Sequence, residues 1–246
     1  MRNLDKQVVL VLCDEDEGNK DFLNGYKDIS PDVKVISERI LPELRRQYDL
    51  PECRHGDILI KNPFNQNYIR LVADTPNELR RTKLHNICQL AEKLGAMHTK
   101  VINATGLKKK RNLDIVANGN YNSLNGEIKI SREDAERDCY TESLQSDTPG
   151  IETLTSEDYY EASKFAQLSG LYNDPEAKRL LDGRDPINKN PLKSLRVEIN
   201  AQSEINHLID IAATCWAMDL FRAQCNYKET LEYRADYSIT LEFEFP

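Results

Sequence analysis

Four consecutive carboxylates, Asp14, Glu15, Asp16 and Glu17, follow directly on a short β-branched run at residues 7–13. Acids at the end of a buried strand stand where open α/β sheets gather their ligands, and clustered carboxylates can hold Mg²⁺. The chemistry implied is metal-dependent hydrolysis, with Asp14 and Asp16 as metal ligands. The simpler expectation is that charge ends a buried strand in solvent. No GxGxxG or GxxxxGKS/T segment accompanies the acids, so nothing in the sequence is shaped to grip a phosphate.

Cys53, Arg54 and His55 place a thiol near an imidazole in sequence. A catalytic Cys–His pair needs approach in space, which adjacency does not give. A zinc site needs further ligands at suitable spacing, and no second cluster offers them. His85, His98 and His207 are isolated, and structural or surface roles are expected for each. There is no GxSxG or HExxH segment. No cofactor is implied by any motif, and the lack of a site signature favours a non-catalytic protein.

Lys108, Lys109, Lys110 and Arg111 are the only run of four cations in a chain of formal net charge −8. On a hairpin tip they could be a solvated guard against edge aggregation. The functional reading is contact with phosphate on an anionic membrane, where each such cation is worth about 1 kcal/mol. The stretch that follows, residues 117–131, is thick with Asn, Gly and Ser yet keeps Ile128 and Ile130 on one parity. Such residues are poor strand formers, so register there is loosely specified and strands can be re-paired. At the limit, such hairpins would extend into a membrane barrel with apolar-out, polar-in alternation.

The elements that must position these groups follow from periodicity. Residues 7–13 are apolar on both parities and predict a strand buried on both faces. Further strands are expected at 33–37, 57–61, 68–73, 98–105, 112–117, 127–131 and 194–201. Helices are expected at 39–50, 75–94, 155–171, 174–183 and 203–223. In the second, Thr75 is expected as N-cap with Pro76 in the first turn and Glu78 closing a capping box. Its apolar face is Leu79, Leu84, Ile87, Cys88, Ala91 and Leu94, and Gly95 stops it. Ser156 is the expected cap of the third. The clearest strand runs through Ile239, Leu241, Phe243 and Phe245, alternating with Thr240, Glu242 and Glu244. The stretch before it is expected to be its hairpin partner. A long amphipathic helix followed by a strand pair thus occurs twice, at 75–117 and 203–245, without residue-level identity.

These elements predict an α+β fold: a mixed, mostly antiparallel sheet with two long amphipathic helices packed on it. A single domain over residues 1–246 is expected, with a possible seam in the polar stretch 132–149. The net charge argues against non-specific duplex nucleic acid as a partner, because that binding neutralises phosphates. The six cysteines form no CxxC pair and read as reduced. With no leader signature and no apolar run of membrane-spanning length, a soluble cytoplasmic protein is expected. The functional expectation is a non-catalytic interaction or self-assembly protein working through sheet edges and hairpins. Its partner would be another protein or a second copy, with an anionic membrane as a further surface.

Overall fold

A computed structural model describes residues 6–12, 32–54, 56–72, 74–105, 146–217 and 238–246. In chain order these form β1 (Val8–Leu12), β2 (Val33–Ser37), a 3-10 turn (Glu38–Ile40), α1 (Leu41–Tyr48), β3 (Ile58–Lys61), β4 (Tyr68–Arg70), α2 (Thr75–Lys93) and β5 (His98–Thr105). They continue with β6 (Ser146–Asp147), α3 (Ser156–Leu168), α4 (Pro175–Arg184), β7 (Ser194–Ile199), α5 (Gln202–Ala217) and β8 (Ser238–Glu244). The class is α+β, with the strands divided between two four-stranded sheets. Contacts group the chain into two compact units, Met1–Lys83 with Gln167–Leu171 and Ala201–Arg234, and Leu84–Ala166 with Tyr172–Asn200 and Ala235–Pro246. Most of the expected seam, 132–145, and the expected strands at 112–117 and 127–131 lie outside the described residues.

The first unit is built on β1. Val8, Val9, Leu10 and Val11 are all fully buried, as apolar residues on both parities require. The sheet order is β2-β1-β3-β4. β1 runs parallel to β2 and antiparallel to β3, and β3 and β4 form a hairpin. Asn62 shapes that hairpin's turn. Its side-chain oxygen accepts from the Phe64 N–H at 2.9 Å, and its own N–H donates to the Asn67 carbonyl at 2.8 Å. α1 starts with Pro42 in its first turn and ends at Asp49, which takes the left-handed conformation at φ 49°. It lays Leu41 and Leu44 into a core with Val9, Val11, Ile36, Leu59 and Tyr68.

A polar pair sits inside this unit that periodicity did not announce. Lys83 on α2 donates to Glu204 on α5 at 2.8 Å, and its ammonium lies 5.5 Å from the centre of the Phe64 ring. The Lys83 side chain is 5% exposed and that of Glu204 32%. Burial alone would push the Glu204 carboxyl up, but hydrogen bonds from Lys83 and Ser203 together with the Lys83 charge bring it below its usual range. The two partners therefore differ in what they leave behind. Removing the carboxylate takes the ion pair from an ammonium held away from water, whereas removing the ammonium leaves a carboxylate that water can reach. Glu204→Gln should cost about 3 kcal/mol at neutral pH, and Lys83→Met about 1 kcal/mol. Because the folded carboxyl titrates below its unfolded value, the stability it contributes is present above the ordinary value of 4.5 and is lost as pH falls through the lower folded one. Urea midpoints of wild type and Glu204→Gln should converge in acid. Midpoints that stay equally far apart at every pH would remove Glu204 ionisation from the account.

The second unit is a wholly antiparallel sheet in the order β6-β5-β8-β7. β8 lies between β5 and β7, so its two neighbours are distant in sequence and neither is the stretch just before it. Its alternation is realised as expected, with Ile239, Leu241, Phe243 and Phe245 buried and Thr240, Glu242 and Glu244 on the other parity. The first turn of α2 differs from expectation. The Asp74 carbonyl accepts from the N–H groups of Asn77 and Glu78, making Asp74 the cap. The Thr75 hydroxyl is occupied with the end of β4, accepting from the Val72 N–H and donating to the Arg70 carbonyl. At the other end of α2, Gly95 takes φ 88°, and the N–H groups of Gly95 and Ala96 bond to the Glu92 and Ala91 carbonyls. This is the paired 5→2 and 6→1 closure that a left-handed glycine permits. The cap of α3 is Thr155, one residue before the expected Ser156. Its hydroxyl accepts from the Asp158 N–H, and Asp158 accepts in return from the Thr155 N–H and hydroxyl. α4 is capped by Asp174, which accepts from the N–H groups of Glu176 and Ala177.

Candidate functional site

The side chains of the second sheet divide by strand parity into a buried face and an outer one. The outer face carries charge in register. Asp147 on β6 sits opposite His98 on β5, with Oδ1 and Nδ1 2.6 Å apart. Lys100 reaches diagonally to Glu244 on β8 at 2.8 Å. Arg196 on β7 donates from Nε to Glu242, directly opposite it on β8, at 2.7 Å. The Lys100–Glu244 hydrogen bond raises the ammonium's pKa and lowers the carboxyl's. Glu198 stands two residues along β7 from Arg196, exposed, with no ion pair among the described residues.

The edge strand β7 completes this site. Its residues Ser194–Ile199 pair with β8 and, among the described residues, with no strand on the other side. The Phe245 N–H donates to the Lys193 carbonyl, which fixes the odd-numbered residues of this strand as those whose peptide groups face β8. The N–H and C=O groups of Arg196 and Glu198 therefore point to the open edge. Val197 and Ile199 are buried beneath, and Leu195 is half-buried. Open edges of this kind are templates for pairing with another strand.

No family model, curated protein or solved structure matches this chain.

The sequence candidates fall in different places. The acidic cluster Asp14, Glu15, Asp16 and Glu17, with Asp14 and Asp16 the expected metal ligands, lies outside the described residues, as do Lys108, Lys109, Lys110 and Arg111. Among the described residues no group of three or more His, Cys, Asp or Glu side chains could hold a metal ion. Nor is any helix there long and apolar enough to cross a membrane. Cys53 is buried in the core that includes Val9 and Val11. Burial raises its thiol's pKa, and a hydrogen bond with Arg45 only partly opposes this. A protonated, enclosed thiol is a poor nucleophile. Its neighbours serve the local turn: Asp57 accepts from the Arg54 N–H at 2.9 Å and lies 3.8 Å from an Arg70 amino group. Cys88 is buried and pushed up to about 12. His55 lies outside the described residues, while His85 and His207 are exposed on helices.

Sequence reading missed the open edge of β7, because alternation identifies a strand but not its place in a sheet. The opposite charges of Arg196 and Glu198 at a two-residue spacing were the available signal.

Proposed function

We propose that this protein is a non-catalytic interaction protein that works by pairing its sheet edges with another chain, a second copy of itself included. The reading rests chiefly on β7, an edge strand of six residues with outward-facing peptide groups and a charge of each sign. Strand addition of this type draws affinity from main-chain hydrogen bonds and specificity from alternate side chains. The first sheet has an edge of similar length in β2, whose ladder partner among the described residues is β1 alone. The basic run Lys108–Lys109–Lys110–Arg111 adds a means of holding the protein at an anionic membrane while it assembles.

Sedimentation velocity over a wide concentration range, with and without anionic vesicles, tests the reading. Concentration-dependent association is the expected result, and vesicles should bind the protein at low salt and release it as salt rises. A sharp monomer at every concentration that also ignores vesicles would overturn both parts.

A further inference from the structure

We infer that β7 pairs antiparallel with β7 of a second copy about a two-fold axis at Val197, joining the two second-unit sheets into one. This deepens the self-assembly reading and rests on it. The inference comes from hydrogen-bond parity and charge taken together.

In an antiparallel ladder, residues whose peptide groups face the neighbour alternate with residues whose groups face away. The odd residues of β7 are committed to β8. Only its even residues can bond across a new edge, so any register must set even against even. A two-fold symmetric pair of identical strands then has few choices. Centring the axis on Arg196 sets that arginine against its own copy. Centring it on Glu198 sets that glutamate against its own copy. Like charges directly opposed are destabilising. Centring it on Val197 sets Arg196 of each copy against Glu198 of the other, twice over by symmetry. The same register sets Val197 against Val197 and Leu195 against Ile199 on the opposite parity. A contact in which residue i meets j and j meets i is the isologous arrangement that closes as a dimer and does not propagate.

The side chains are prepared for this. Glu198 has no ion-pair partner among the described residues. Arg196 is 67% exposed and uses Nε for Glu242. Its two terminal amino groups are directed to no acceptor among the described residues. A guanidinium carries five N–H donors in a fixed fork, so it can hold Glu242 through Nε and the second copy's Glu198 through its terminal nitrogens. The alternating signs also discourage other associations, because registers shifted by two residues oppose like charges.

Sedimentation equilibrium of the full chain tests this with charge reversals. Wild type should show a monomer–dimer equilibrium. Glu198→Arg, which breaks no described ion pair within its own chain, should weaken the dimer at least about tenfold, since two opposite-charge pairs become two like-charge pairs. Arg196→Glu should do the same. An equimolar mixture of Arg196→Glu and Glu198→Arg should recover the dimer, because one copy then presents two carboxylates to the other's two guanidinium groups. Recovery on mixing also shows that both variants are folded. As a separate check, Glu198→Pro removes an N–H that faces the open edge, so it should abolish the dimer and leave the melting temperature of the dilute monomer unchanged. A wild-type dimer that persists in Glu198→Arg, or single variants that fail to associate on mixing, would overturn the β7 pairing while leaving self-assembly standing. A wild type that is monomeric throughout would overturn both.

Discussion

Truncation of Phe243 to alanine should lower stability by about 3–5 kcal/mol, and deletion of residues 241–246 should leave no folded second unit. Phe243 is fully buried and lies on β8, opposite Thr99 of β5 on one side and Leu195 of β7 on the other. A cavity there cannot collapse easily, because both neighbouring strands are fixed by their own ladders to β8. A domain has only about 5–15 kcal/mol in total, so the point variant should be marginal. The deletion goes further. It removes the shared partner of β5 and β7, and nothing else among the described residues pairs those two strands. Thermal melts and hydrogen exchange on β5 and β7 decide the matter. Protection of those strands that survives the deletion would show that β8 is not what joins them.

Replacement of Arg184 should cost about 3–5 kcal/mol, and lysine should restore little of it. The Arg184 side chain lies in a residue that is 2% exposed. Its Nε donates to the Leu94 carbonyl at 3.0 Å, one terminal amino group to Ile151 at 3.0 Å, and the other to Leu192 at 3.4 Å. Its guanidinium carbon sits 4.9 Å from the centre of the Phe245 ring. Burial lowers the pKa of the group, as expected for a cation taken out of water. The planar fork meets three carbonyls from separate parts of the chain at once, including the carbonyl just past the end of α2. Gly95 follows it there, with a left-handed φ and with Ile151 Cβ only 2.8 Å from where a side chain would begin. A lysine ammonium on a flexible stem cannot span those three acceptors. Urea midpoints of Arg184→Lys and Arg184→Met should therefore lie close together and well below wild type. A lysine variant as stable as wild type would mean that charge alone is needed.

The parts of this fold that were legible in sequence are those set by local period. β1 declared itself by being apolar on both parities, and β8 by strict alternation. α2 was visible through its apolar stripe, although burial extends past that stripe to Leu90, Arg80 and Lys83. Helix caps were displaced by one residue for a reason sequence does not contain. Asp74 and Thr75 can both cap, and the choice fell to Asp74 because the end of β4 occupies the Thr75 hydroxyl. Thr155 and Ser156 posed the same ambiguity, resolved by the reach of Asp158. Partnerships across long separations were not legible. Nothing in the spacing of residues 238–244 says that the neighbours are β5 and β7 rather than the adjacent stretch. For the same reason the site was only half visible. Arg196 and Glu198 could be read as an alternating strand, but their edge position depends on which strands fill the other side of β8.

The pairing of β5 with β8 has a consequence for how the chain comes into being. Lys100 and Glu244, bonded across that ladder, are 144 residues apart. At about 5–20 residues per second, a ribosome takes roughly 7–30 seconds to reach the partner after β5 has been made. Closing so long a loop is also slow in itself, because its entropy is lost before the contacts form. During that interval β5 lacks the strand that covers it, as does β7 for a shorter time. The second unit is therefore a late-folding body whose strands must be kept apart, on a polysome, from the same strands on neighbouring nascent chains.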